Sequence, residues 1–167
     1  RQVHSSIVKR VGTQDCGTGL FFRGDGEYDG LITNEPGVAL TVFSADCGIL
    51  LLHDPVRRAV GAVHAGWRGC AGGIVEKTVQ AMESHFGSRA EDLQVAIGPC
   101  IGRCCFETDA DVPAAMEAAL GADAAPYLEQ RGQKWHVDLA GLNRQWLLRS
   151  GVRPAHIDVC GLCTVCH

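Results

Sequence analysis

Apolar residues along this chain change their period several times, and the changes predict a protein of mixed α and β structure. Leu31-Ile32-Thr33 reads as a short strand, and Val38 to Ser44 is rich in β-formers behind the Pro36-Gly37 turn. Ile49-Leu50-Leu51-Leu52 is a buried apolar run closed by Asp54-Pro55, and Ala59 to His64 is another short apolar strand. From Ile74 to Phe86 the period becomes helical. Val75, Val79, Met82 and Phe86 share one face, and Gly87 follows as a stop. Leu93 to Ile97 is a strand ending at Gly98-Pro99. Asp111 to Leu120 predicts a helix capped by Asp111 and stopped by Gly121, and Leu142 to Arg149 predicts another that ends at Gly151. Ile157 to Leu162 returns to strand. The elements alternate, but the early strand runs are closely paired. This favours an α+β sheet-and-helix sandwich of mixed strands with flanking helices over a regular βαβ array.

Composition narrows the class. The 167 residues, 46% hydrophobic and 20% charged, fit one domain with a real core. A net charge of −4 offers no basic field, so neither nucleic acid nor an anionic membrane is expected as a partner. No apolar run approaches the roughly 18 residues of a membrane helix, and no basic-then-apolar leader opens the chain. A cytoplasmic protein, monomeric or weakly homo-oligomeric, is the expectation. The nine cysteines are an odd number, so they cannot all pair within one chain. Reduced thiols, some of them ligands or nucleophiles, are the better reading. The abrupt start at Arg1-Gln2-Val3-His4 and the end at Cys166-His167 suggest a chain lacking parts of both ends.

Five stretches carry candidate chemistry. His64-Ala65-Gly66-Trp67-Arg68-Gly69, followed by Cys70-Ala71-Gly72-Gly73, reads as a strand end, a glycine-rich loop and a helix N-terminus. Free N–H groups there, with the Arg68 fork, suit phosphate or carboxylate, although a tight turn with a surface arginine explains the loop alone. Ser44-Ala45-Asp46-Cys47-Gly48 sets a thiol beside a carboxylate at a strand end, where a buried structural cysteine is the common alternative. His4 in Gln2-Val3-His4-Ser5-Ser6 says little by itself. Gly98-Pro99-Cys100 forces a turn and makes Cys100 a candidate wall or thiol of a cleft. Cys104 and Cys105, being adjacent, are expected to diverge and to make a poor metal pair. Cys160, Cys163 and Cys166 have spacing suited to zinc or an iron–sulfur cluster. A strand there would turn Cys163 away from the other two, so a separate metal site is not favoured.

In order along the chain, Gln2-Val3-His4, Thr33 through Pro36-Gly37, Ala45-Asp46-Cys47, Ala62-Val63-His64-Ala65-Gly66-Trp67-Arg68-Gly69 and Ile97-Gly98-Pro99-Cys100-Ile101-Gly102 resemble the successive signatures of the laccase-domain family. Its members are described both as multicopper polyphenol oxidases and as zinc-dependent purine nucleoside phosphorylases with adenosine deaminase activity. The resemblance spans nearly all of residues 1–167, read as a single laccase-domain-like catalytic domain. It implies that His4, Cys47 and His64 are zinc ligands. Two imidazoles and a thiolate suit Zn²⁺, and three protein ligands leave a fourth position open for water or substrate. Phe106-Glu107-Thr108 departs from the family's usual Tyr-Glu-Val.

The resemblance further implies phosphorolysis of adenosine, inosine or guanosine, with deamination of adenosine at the same metal. Asp46, Cys47, His64 and Arg68 are then the catalytic candidates, and Arg68, Gly69 and Cys100 the substrate and phosphate contacts. Asp46 is chosen as a ligand-orienting or proton-moving group by adjacency alone. A multicopper oxidase needs a type-1 centre and a trinuclear cluster. The seven histidines include no His-x-His pair, which places this reading second, although copper binding at the same ligands is compatible with the order of metal affinities. A cysteine hydrolase with Cys47 as nucleophile and His64 as base, and a non-enzymatic zinc module, use the same residues.

Overall fold

The computed structural model describes residues 1–24 and 26–167. Its larger sheet contains β1 (Val8–Arg10), β2 (Gly30–Thr33), β3 (Gly48–Asp54), β4 (Ala59–Ala65), β5 (Gln94–Ile97) and β9 (Ile157–Val159), in the order β1-β2-β4-β3-β5-β9. The outer pairs β1–β2 and β5–β9 are parallel, and the pairs between them are antiparallel. A smaller antiparallel sheet of β6 (Glu107–Thr108), β8 (Lys134–Val137) and β7 (Leu128–Arg131) stands apart. The helices are α1 (Trp67–Ala71), α2 (Ile74–Phe86), α3 (Asp111–Leu120) and α4 (Leu139–Arg149). The fold is therefore α+β with a mixed sheet and flanking helices, as the apolar pattern predicts.

The alternation of β3 explains which face is covered. Leu50 and Leu52 point into the core, while Leu51 and His53 are exposed on the opposite face. Helix α2 lays Ile74, Val75, Val79 and Met82 over the inner face, next to Ile32 and Val63. It ends where predicted, at Gly87, whose φ of 68° is a left-handed value that glycine tolerates. Gly73, at φ 71°, breaks the backbone between α1 and α2. Among the described residues, no helix is long and apolar enough to cross a membrane.

Several local expectations are corrected. Val38 to Ser44 forms no strand. The side-chain amide of Gln2 donates to the carbonyl of Phe43 (2.7 Å) and accepts from its N–H (2.8 Å), so a side chain takes the place of a neighbouring strand. Asp111 is the first residue of α3 rather than its cap, and Ala110 holds the cap position without a side-chain bond. Helix α4 starts three residues before Leu142, at Leu139, because Asp138 caps it by accepting the Gly141 N–H. The last strand stops at Val159 and does not reach Leu162. The glycine-rich stretch after His64 is also less loop-like than expected, since α1 begins at Trp67 directly.

Candidate metal centre

Strand register brings the chemistry to one end of the larger sheet. Gly48 of β3 pairs with Ala65 of β4, which sets Cys47 beside Gly66, just past His64. Gly30 of β2 pairs with Val63 on the other side, and the carbonyl of Asp29 accepts the His64 N–H at 2.8 Å. The segment before β1 crosses the same end and delivers His4. As a result the ligand atoms of His4, Cys47 and His64 lie within 4.8 Å of one another. Cys47 Sγ is 3.7 Å from His4 Nε2. A tetrahedral ion with the usual Zn–N and Zn–S bonds would space such a pair by about 3.6 Å. His64 is buried at the floor, Cys47 is half-buried and His4 is exposed, so the group opens to one side.

Asp29 holds this arrangement, and sequence reasoning missed it. Its carboxylate is buried and accepts the main-chain N–H groups of Val3 (3.2 Å), His4 (3.1 Å) and Ser5 (2.7 Å), and the Ser5 hydroxyl (2.7 Å). Three successive N–H groups converging on one anion form a nest, and His4 adopts the left-handed φ of 61° that such a turn uses. The fifth partner is His64 Nδ1 at 2.8 Å. That contact puts the ring proton on Nδ1 and leaves Nε2 free to face a metal. Burial pushes the Asp29 carboxyl up, but the hydrogen bonds from Ser5, His64 and Val3 outweigh it and hold the group below the ordinary 3.8. No signal in the sequence around Tyr28-Asp29-Gly30 marks this role, because it depends on strand pairing.

Two further contacts shape the group. A Cβ on Gly66 would stand 2.8 Å from both Cys47 Sγ and His4 Cδ2, so the convergence of these ligands requires glycine there. Burial, with the Asp46 and Asp29 carboxylates, raises the Cys47 thiol above its usual value. A metal would reverse this preference, whereas a free nucleophilic thiolate is disfavoured by it.

The other predicted site residues are placed unequally. Arg68, four residues after His64 in the chain, is exposed, with its guanidinium stacked 4.2 Å over the Trp67 ring. Gly69 is buried, and a Cβ there would meet the Ser5 carbonyl at 3.0 Å, so its smallness serves packing of the N-terminal segment. Asp46 is exposed, and its side chain accepts from the Thr164 hydroxyl at 2.6 Å. Cys100 is buried, and burial, Asp138, Cys163 and Cys47 together push its thiol up to about 11.

The last cysteines also differ from expectation. Cys104, Cys105, Cys163 and Cys166 bring their sulfur atoms within 4.8 Å of one another, while Cys160 stays outside this group. Divergence of adjacent side chains and the period of two both assume strands. Here Cys104 and Cys105 lie on a turn in which the Gly102 carbonyl accepts from the N–H groups of Cys105 and Phe106, both at 2.9 Å, and Cys163 lies beyond the end of β9.

The family model described as multi-copper polyphenol oxidoreductase laccase matches residues 1–167, the whole chain. The chain belongs to this family. A purine nucleoside phosphorylase, YlmD, of Geobacillus stearothermophilus is 37% identical over 99% of this chain and 61% of its own length. Another YlmD, of Bacillus subtilis, is 36% identical over 98% of this chain and 59% of its own. The chain thus spans about three fifths of the length of these curated relatives. The crystal structure of a Bacillus licheniformis hypothetical protein, YfiH, superposes with a TM-score of 0.93 at 32% identity, covering 98% of this chain and 62% of that one. Alongside this family membership, the chain carries a His/Cys group, His4, Cys47 and His64, whose geometry could hold a metal ion.

Proposed function

We propose that this chain is the catalytic part of a zinc-dependent purine nucleoside phosphorylase that acts on adenosine, inosine and guanosine and also deaminates adenosine. The observation that carries the reading is the open three-ligand group of His4, Cys47 and His64, with Asp29 behind it. Three ligands and an open fourth side are the pattern of a catalytic rather than a structural zinc site. The names of the YlmD relatives supply the substrate class. Zinc bound there would supply Lewis acidity and an acidified water.

In phosphorolysis a phosphate oxygen bonds to C1′ of the ribose as the C1′–N9 bond breaks, yielding ribose 1-phosphate and the free base. Arg68 is an exposed cation four residues after His64 in the chain, and its planar fork would hold the phosphate against C1′. Trp67 keeps the guanidinium plane in place by stacking. In deamination, water replaces the amino group of adenosine and ammonia leaves. Asp46, next in the chain to Cys47 and anchored by Thr164, is the candidate to move a proton in either reaction. Cys100 and Gly69, both buried, contribute shape rather than charge.

Two observations favour this reading over its rivals. Among the described residues, one potential metal group contains histidine, whereas a multicopper oxidase needs several such groups. Cys47 also faces two imidazoles with all three ligand atoms within 4.8 Å, the convergence of a ligand set, where a hydrolase nucleophile needs only one base.

The test is metal analysis of the purified chain with inosine plus phosphate assayed on the same samples. Loss of zinc from the His4/Cys47/His64 group in His64→Ala, together with loss of hypoxanthine release, is expected. Arg68→Ala should raise the KM for phosphate and leave zinc in place. A zinc-loaded chain that releases neither hypoxanthine from inosine nor inosine from adenosine would refute the proposal.

A further inference from the structure

We propose that Cys104, Cys105, Cys163 and Cys166 form a second, structural zinc site that fastens the C-terminal turn to the loop behind the candidate metal centre. The four sulfur atoms lie within 4.8 Å of one another, and Cys104 Sγ is 3.5 Å from Cys166 Sγ. A tetrahedral zinc tetrathiolate, with Zn–S bonds of about 2.3 Å, has sulfur–sulfur edges of about 3.8 Å. The cluster therefore has the dimensions of a mononuclear site. An iron–sulfur cluster with two irons spreads its cysteines over two metals and fits these distances less well.

The surroundings are those of a ligand cage. The Gly102 N–H donates to Cys163 Sγ at 3.3 Å, a bond that supports a coordinated thiolate from outside the metal shell. Gly102 is also packed tightly against the cluster, since a Cβ there would stand 3.2 Å from both Cys104 Sγ and Cys163 Cβ. Cys163 is buried, and the other three thiols are accessible enough to receive an ion from solution. Four protein ligands leave no open position, which is the mark of a structural site.

Little regular structure otherwise ties this region down. The C-terminal turn lies beyond β9 and meets the 100–105 loop through one isolated bridge, Cys100 with Cys163. In that bridge the Thr164 N–H donates to the Cys100 carbonyl at 3.1 Å. Thr164, which sits between two of the four cysteines, also donates to Asp46 at 2.6 Å, and the Ile101 N–H donates to the Asp46 carbonyl at 2.8 Å. A metal joining Cys104 and Cys105 to Cys163 and Cys166 would cross-link both segments that hold Asp46, and so fix the loop carrying Cys47. This inference does not depend on the substrate proposed above.

The experiment counts zinc on the chain purified under reducing conditions, with and without each set of ligands. The wild type should hold two zinc ions, His64→Ala one, and Cys166→Ser one. Cys160→Ser, whose thiol is outside the cluster, should keep two. Cobalt loaded into His64→Ala, or into Cys47→Ser as an independent knock-out of the first site, should show the charge-transfer spectrum of four thiolates, a readout that needs no cysteine of the cluster removed. A single zinc in the wild type that disappears completely in His64→Ala would overturn the proposal. So would cobalt in His64→Ala with no thiolate charge transfer after full reduction, because four reduced sulfurs at these distances would then fail to take a tetrahedral ion.

Discussion

Replacing Asp29 with asparagine isolates the residue on which the whole centre is hung. The two carboxylate oxygens divide five donors between them. Oδ1 takes the His4 N–H and His64 Nδ1, and Oδ2 takes the Val3 N–H, the Ser5 N–H and the Ser5 hydroxyl. An asparagine amide must turn its NH₂ toward one set. If it faces Val3 and Ser5, two fixed main-chain donors lose their acceptor, although the Ser5 hydroxyl can rotate. If it faces His64, it donates to Nδ1 and moves the ring proton to Nε2, the nitrogen a metal needs, while also opposing the His4 N–H. Each hydrogen bond to a buried charge is worth about 1.5–3 kcal/mol, so Asp29→Asn should destabilise the metal-free chain by about 3–5 kcal/mol. Zinc affinity at His4, Cys47 and His64 should fall about 10–100-fold, the usual effect of removing a carboxylate that orients a histidine ligand. Urea unfolding of the metal-free chain measures the first quantity, and competition against a chromogenic chelator measures the second. Asp46→Asn is the control, expected to cut turnover without lowering zinc affinity. An Asp29→Asn chain with zinc affinity within about threefold of wild type and unfolding energy within about 1 kcal/mol would refute the role assigned to Asp29.

Other consequences separate folding from ligation. Gly66→Ala has an ordinary backbone φ of −66°, so metal-free stability should stay within about 1 kcal/mol of wild type in urea. The new methyl would still displace Cys47 and His4, and the same chelator competition should show at least a tenfold loss of affinity. Because the Cys47 thiol is raised above 9.0, zinc must displace its proton at neutral pH. Affinity of the His4/Cys47/His64 site, read in Cys166→Ser, should rise about tenfold per pH unit between roughly pH 7.5 and 8.5, and a flat profile would contradict this. Asp29 is held below 3.8, so the unfolded chain takes up its proton first as pH falls. The stability it adds is present above that pH and fades as pH drops through the folded value, and the gap between wild type and Asp29→Asn in urea should narrow below about pH 4. Leu50→Ala, at a fully buried position of β3, should cost about 2–5 kcal/mol in the same assay with metal ligation unchanged.

What could be read from the sequence depended on how far each feature's cause extended along the chain. Helix α2 was legible because its period, its glycine stop and its buried face all lie within residues 74–87. Val38 to Ser44 was not, since its extended backbone is satisfied by the side chain of Gln2, some forty residues away, and β propensity says nothing about partners. His4, Cys47 and His64 were recognisable as motifs, but it is the pairing of Gly48 with Ala65 that explains why they meet. Asp29 left no mark, because a buried carboxylate serving three main-chain N–H groups and a histidine looks, in one dimension, like any turn aspartate. The cysteines show the same limit from the other side. The rule that neighbouring residues diverge is a statement about strands, and it lapses where the Gly102 carbonyl closes a turn over Cys104 and Cys105. A ligand pattern is therefore read safely from spacing only when the backbone between the ligands is known. Here the two candidate metal groups, one found by motif and one missed by spacing, meet the same geometric standard of donor atoms within 4.8 Å.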